Sequence, residues 1–112
     1  QPKSNIAQDI QQPVISNVNT ADAKNLIANN QDLVVLDVRT PEEIANGKID
    51  KALEININDP GFQASLEKLD KSKPVLVYCK AGGRSARACE IMSKIGFKKV
   101  YNLEQGFDGW KN

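Results

Sequence analysis

Apolar residues gather in short, near-continuous blocks at Leu33–Val38, Val75–Tyr78 and Val100–Leu103, and between these blocks they recur every three or four positions. Blocks of the first kind mark strands buried on both faces of a parallel sheet, and the three-to-four spacing marks helices with one buried face. Asn19 or Thr20 is placed to cap a helix in which Ala23, Leu26 and Ile27 share a face and Asn29-Asn30 forms the end. Thr40-Pro41-Glu42-Glu43 has the form of a capping box with proline at the first helical position, so a short helix begins there. A weaker strand is expected over Ala52–Ile55, and a helix over Phe62–Leu69. After the glycines at 82 and 83, Ser85–Ile95 reads as a helix with Ala88, Cys89, Met92 and Ile95 on one face and Gly96 as its stop. Gly106–Trp110 predicts a final turn or short helix. Residues 1 to about 18 are polar; residues 1–14 are expected to form a flexible leader ending near a short strand at Val14–Ile15, and residues 15–112 one domain.

Strands alternating with helices predict an α/β fold built on a mostly parallel sheet. Ligands of such sheets bind beyond the carboxyl ends of the strands, near a point where the chain's connections diverge. Asp37-Val38-Arg39 and Cys79-Lys80 both follow strong strand signals, so the two segments are expected to share a crevice. Asp37 and Arg39 are then either crevice residues or a strand-end ion pair.

Composition narrows the chemistry. Of 112 residues 40% are hydrophobic and 26% charged, the balance of a globular domain, and the net charge of +1 is too small to recruit nucleic acid. No apolar run approaches the roughly 20 residues of a membrane span. The chain has no histidine, which removes Cys-His and Ser-His-Asp catalysis and the commonest zinc ligand. Two cysteines, Cys79 and Cys89, are too few for a structural zinc site or a disulfide framework, so no metal or cofactor is expected. The chain begins at Gln1 rather than Met. As a processed mature form it would be exported or periplasmic; as a trimmed piece, cytoplasmic.

The candidate chemistry lies in Cys79-Lys80-Ala81-Gly82-Gly83-Arg84-Ser85, between a strand and a helix start. Backbone N–H groups and the positive end of the helix converge at such a junction. Gly82 and Gly83 allow the chain to curl with its N–H groups pointing inward, as an anion-holding nest. Arg84 adds a planar cationic fork, and Ser85 a helix cap or a hydroxyl donor. The same groups favour a thiolate: helix starts and nearby cations lower a cysteine pKa of about 8.5 by roughly 1 to 5 units. Cys89, on the apolar stripe of the following helix, is expected to be core rather than a resolving thiol. Phe107 and Trp110 are likewise expected in the core.

Three ordered motifs resemble those of single-domain rhodaneses: Leu36-Asp37-Val38-Arg39-Thr40-Pro41-Glu42-Glu43, Tyr78-Cys79-Lys80-Ala81-Gly82-Gly83-Arg84-Ser85-Ala86, and Asn102-Leu103-Glu104-Gln105-Gly106-Phe107-Asp108-Gly109-Trp110. The resemblance spans roughly residues 15 to 110. It implies a three-layer α/β fold, with a sheet of about five strands between helices, and a sulfurtransferase in which Cys79 takes sulfane sulfur from a donor such as thiosulfate. A thiol or cyanide, or a protein sulfur acceptor, would then remove it from the persulfide. By the same resemblance the N–H groups of the loop stabilise the persulfide, and Lys80 and Arg84 attract the anionic donor. Alternatively, Arg84 holds the loop in shape through a carboxylate such as Asp37 or Glu42. A monomer is expected. One stretch departs from the family pattern: its Gly-His-Ile-x-Gly-Ala-x-Asn appears here as Gly47-Lys48-Ile49-Asp50-Lys51-Ala52-Leu53-Glu54, implying a local change before the second strand.

Two other classes compete. Fold-related phosphatases and arsenate reductases place five residues between cysteine and arginine, whereas only Lys80 to Gly83 intervene here, giving a smaller, sulfur-sized cradle. Non-catalytic rhodanese-like binding modules commonly lose the cysteine, and this chain keeps it.

Overall fold

The computed structural model describes residues 13–111, so residues 1–12 of the expected leader lie outside the described residues. Pro13 and Val14 already engage the fold: the carbonyl of Val14 accepts the N–H of Val100, and that of Pro13 accepts Lys99 Nζ. The order of elements is β1 (Ile15–Val18), α1 (Thr20–Asn29), β2 (Val34–Asp37), α2 (Pro41–Ile44), β3 (Leu53–Glu54), α3 (Phe62–Glu67), β4 (Val75–Tyr78), α4 (Gly83–Lys94), β5 (Val100–Leu103) and α5 (Gly106–Lys111).

The five strands form one sheet in the order β1-β5-β4-β2-β3, with every pairing parallel. Alternation along each strand divides the core. Val75, Val77 and Cys79 of β4 and its extension face one side with Leu36 and Val38, where α3 and α4 supply Phe62, Leu66, Ala88, Cys89 and Met92. Leu76 and Tyr78 face the other side, where α1 and α5 supply Ala23 and Phe107. This is the period of two expected for a pleated strand, and it yields three layers with both faces of the sheet covered.

From β2 the chain moves outward to β3, whereas from β4 it moves the opposite way to β5. The adjacent strands β2 and β4 therefore flank the topological switch point, where parallel α/β sheets hold their ligands. Asp37 ends β2 and Tyr78 ends β4, and the two are register partners. The crevice expected from the sequence is the one the topology creates.

Several boundaries differ from expectation. Asn19, not Thr20, caps α1, its Oδ1 accepting the N–H of Asp22 at 2.8 Å. Thr20 instead donates its N–H and hydroxyl to Gln105 Oε1, tying α1 to the segment before α5. The strand expected over Ala52–Ile55 shrinks to two exposed residues at the sheet edge. In the stretch that departs from the family pattern, Lys48 Nζ donates to the carbonyl of Ala52 at 3.0 Å and to Glu54 Oε2 at 2.6 Å. The lysine and glutamate that stand for histidine and asparagine thus pair with each other and pin the turn. Lys51, standing where the pattern has glycine, has φ of 67° and is the one non-glycine with positive φ among the described residues.

A left-handed conformation costs an ordinary L-residue roughly 1 kcal/mol or more relative to glycine. The added freedom of glycine in the unfolded chain takes back part of the gain. Lys51→Gly is expected to raise stability by about 0.5–1 kcal/mol, measured by urea unfolding; a loss of stability would mean that the lysine side chain holds the turn.

Candidate active site

The loop after β4 is shaped from outside. The N–H of Phe107 donates to the carbonyl of Cys79 at 2.8 Å, and the N–H of Asp108 to that of Lys80 at 3.1 Å. With these carbonyls turned outward toward α5, the loop's N–H groups turn inward. Two glycines permit the approach. A Cβ on Gly106 would lie 2.2 Å from the Lys80 carbonyl oxygen, and one on Gly82 2.3 Å from that of Glu104. Gly82 has φ of 102°, a left-handed residue immediately before α4.

This early start corrects two expectations. Helix α4 begins at Gly83 rather than Ser85, so Ser85 sits inside the first turn and caps nothing. Its hydroxyl is instead part of the site. Gly83 needs no special backbone freedom, because an added Cβ would meet nothing within 4 Å. Its role in the curl passes to Gly82 alone.

Cys79 is 1% exposed, and its Sγ accepts the N–H of Gly82 at 3.1 Å and that of Ser85 at 3.4 Å, with Ser85 Oγ a further 3.4 Å contact. Burial alone would push the thiol pKa up. Hydrogen bonds from the Ser85 hydroxyl and the N–H groups of Ser85, Gly82 and Ala81 outweigh it, so the pKa falls below its ordinary value. Among the described residues Cys89 has no such donors. Fully buried in the core, its thiol is pushed up to about 12, chiefly by burial, and both cysteines are free. The same residue type is thus tuned in opposite directions one helix apart.

Arg84 points at a carboxylate, but not one of those expected. Its Nη1 and Nη2 donate to Glu43 Oε1 and Oε2 at 2.7 and 2.8 Å, a bidentate clamp from α4 to α2. Glu43 also closes the Thr40 capping box, accepting the N–H and hydroxyl of Thr40. The clamp, with desolvation opposing it and Thr40 assisting, lowers the Glu43 pKa from 4.5 to about 2. Asp37 and Arg39 form a buried pair at 2.7 Å, and Arg39 also reaches the carbonyl of Gly47 and lies over the Phe107 ring at 4.5 Å. Lys80 is exposed and pairs with Asp108 at 2.7 Å.

Arg39, Glu43, Asn46, Lys80, Phe107, Asp108 and Lys111 line a cavity of about 140 Å³ between α2, α5 and the residue that follows Cys79. Arg39 is thus both the ion pair and a crevice residue, while Asp37 stays beneath. Phe107 is core and cavity wall at once; Trp110 is partly buried beside α1, with Lys24 over its ring. Sequence reasoning missed Glu43 as a site residue because its capping role already accounted for it. It also missed Asn102, whose only signal is a polar residue inside an apolar strand. Asn102 is 4% exposed, and its Oδ1 lies 2.5 Å from Ser85 Oγ.

Residues 19–112 match the family model of the rhodanese-like domain. A sulfurtransferase of Allochromatium vinosum is 34% identical over 96 residues, covering 83% of this chain and 88% of that protein. Thiosulfate sulfurtransferase GlpE of Coxiella burnetii is 40% identical over 81 residues, covering 72% and 74%. In the crystal structure of a rhodanese-like domain protein from Staphylococcus aureus the same fold recurs with a TM-score of 0.76 at 28% identity, covering 85% of this chain and 90% of that one.

Two predictions follow from the geometry of the loop and the clamp. Gly82→Ala should destabilise by more than about 2 kcal/mol through a backbone clash at a left-handed position, while Gly83→Ala should stay within about 0.5 kcal/mol of wild type; equal losses in denaturant melts would defeat this assignment. Because the Glu43 pKa is depressed on folding, its contribution is fully present above pH 4.5 and disappears as pH falls toward about 2. Wild type should therefore exceed Glu43→Gln in stability near neutrality, by on the order of 1 kcal/mol for a partly exposed pair. Urea titrations at stepped pH should show that gap closing over the same window, and a gap independent of pH would refute the charge-based role.

Proposed function

Because the chain belongs to the rhodanese-like domain family, we propose that it is a sulfurtransferase that carries sulfane sulfur as a persulfide on Cys79. The supporting observation is the set of donors aimed at one sulfur: the N–H groups of Gly82 and Ser85 converge on Sγ in a chain without histidine. A thiolate so held is a nucleophile that needs no general base.

In the first half-reaction the thiolate attacks the outer sulfur of a donor of the thiosulfate class. The new Sγ–S bond forms as the donor's S–S bond breaks, and the electron pair leaves with sulfite. The negative charge moves to the outer sulfur of the persulfide, where inward N–H groups of the loop stabilise it. In the second half-reaction a cyanide carbon or an acceptor thiolate attacks that outer sulfur. The Sγ–S bond breaks, and its pair returns to Sγ as the thiolate. No net proton is needed at sulfur in either step, which suits a site without imidazole.

Lys80, Arg39 and Lys111 border the cavity beside the loop, so a small anion entering it meets cationic side chains. Both Lys80 and Arg39 have carboxylate partners, which makes them a modest attraction rather than a deep trap. Arg84 supports the reaction as the clamp that holds the loop against α2, with its guanidinium attracted to the Cys79 thiolate and engaged by Glu43. About 140 Å³ suits thiosulfate or the end of a thiol and little more.

Treatment with thiosulfate followed by mass spectrometry should add the mass of one sulfur atom to the peptide holding Cys79, removable by cyanide with release of thiocyanate. Cys79→Ala should abolish both the adduct and turnover in a thiosulfate:cyanide assay. Turnover surviving in that variant would overturn the proposal.

A further inference from the structure

The Ser85 hydroxyl has one proton and three acceptors around it: Asn102 Oδ1 at 2.5 Å, the carbonyl of Gly82 at 3.2 Å and Cys79 Sγ at 3.4 Å. The Gly82 carbonyl already receives the N–H of Ala86 at 3.1 Å and Asn102 Nδ2 at 3.4 Å. Asn102 Nδ2 also donates to Asn17 Oδ1 at 3.0 Å, and its bond to the Gly82 carbonyl, which can only accept, sets the amide oxygen toward Ser85. Ser85 is fully buried and Asn102 nearly so, leaving the hydroxyl as the partner of that amide oxygen. In this arrangement the proton of Ser85 points at Asn102, and its lone pairs face sulfur.

We propose that Asn102 is a positioning residue for Cys79: its amide oxygen competes with the sulfur for the Ser85 hydroxyl proton, giving that hydroxyl two working orientations. Toward a thiolate, Ser85 turns to donate to Sγ. Once the outer sulfur is attached and the charge has moved to it, Sγ becomes a weak acceptor, and the proton returns to Asn102. The hydroxyl rotates, and no proton leaves the serine. The proposal rests on the sulfur-transfer reading for its purpose, but its structural content, a hydroxyl shared between sulfur and amide, does not.

The test is the titration of Cys79 followed by ultraviolet thiolate absorbance, with iodoacetamide alkylation mapped by mass spectrometry as the second readout. Neither uses a sulfur donor, so failure of sulfur transfer would leave the result legible. The charged groups near the loop are Arg84 and its partner Glu43 on α4 and α2, Asp37 with Arg39 at the end of β2, Lys80 of the loop itself with Asp108 and Lys111 on α5, and Glu104 before α5; all stay unchanged in the variants. Removing the competing acceptor in Asn102→Ala should lower the thiol midpoint by roughly one unit, about tenfold more thiolate below it. Ser85→Ala should raise the midpoint, and Asn102→Ala added to Ser85→Ala should move it no further. Asn102→Asp deletes the same amide donors as alanine yet keeps and strengthens the acceptor, so its midpoint should rise. Equal shifts in the two Asn102 variants, a shift that persists without the Ser85 hydroxyl, or failure of both variants to fold would each overturn the proposal and leave Asn102 an architectural residue.

Discussion

Everything at this site depends on which way a few peptide groups face. The loop after β4 presents N–H groups to Cys79 Sγ because its carbonyls are drawn outward, Cys79 by the N–H of Phe107 and Lys80 by that of Asp108. A buried carbonyl left without a donor would cost about 1–3 kcal/mol, so the short closing helix fixes the orientation as firmly as any bond inside the loop. Gly82 and Gly106 are the points where the two segments approach too closely for a side chain. The thiolate is thus stabilised by backbone dipoles whose direction is set some thirty residues further along the chain. Fixed dipoles of this kind need little reorganisation when charge appears or moves.

The remaining supports act on the same loop from other directions. Arg84 and Glu43 join its helical end to α2, and the capping box of Thr40 holds that glutamate in place. Arg39, neutralised by Asp37 in a buried pair, stacks over Phe107 and so braces the base of α5. A buried pair of this kind contributes little net stability, because desolvation offsets the attraction, but it fixes geometry. The division of labour is clear from charge alone: the cations here hold parts together, and the groups that touch sulfur directly are N–H groups and one hydroxyl.

Much of the fold was legible in the sequence because its signals are local. Blocks such as Val75–Tyr78 are apolar on both faces only when a sheet is covered on both sides, and the alternation of Val77 and Cys79 against Leu76 and Tyr78 then follows from the pleat. The place of Cys79 between a strand and a helix start was equally readable. What escaped were partnerships between distant segments. Glu43 satisfied a capping box, which concealed its second role toward Arg84, forty-one positions away. Ser85 could be read as a cap or as a hydroxyl donor, and only the left-handed Gly82, which starts α4 two residues sooner, decides for the hydroxyl beside sulfur. Asn102 sits in the middle of a strand, where only the three-dimensional neighbourhood of Ser85 gives it meaning. Lys48 and Glu54 show the converse, since two replaced positions make sense together and neither does singly.

The outward pull of α5 on the Cys79 and Lys80 carbonyls also has a temporal side. Residues 106–108 supply the donors to both carbonyls, and until they dock those donors are not in place. A chain that has formed β4 but not yet β5 and α5 carries a cysteine with the ordinary reluctance to ionise. The lowered pKa of Cys79 therefore follows the docking of α5, which also supplies Phe107, Asp108 and Lys111 to the wall of the neighbouring cavity. An incompletely folded chain is in this way shielded from the indiscriminate oxidation and cross-linking that an early thiolate would invite.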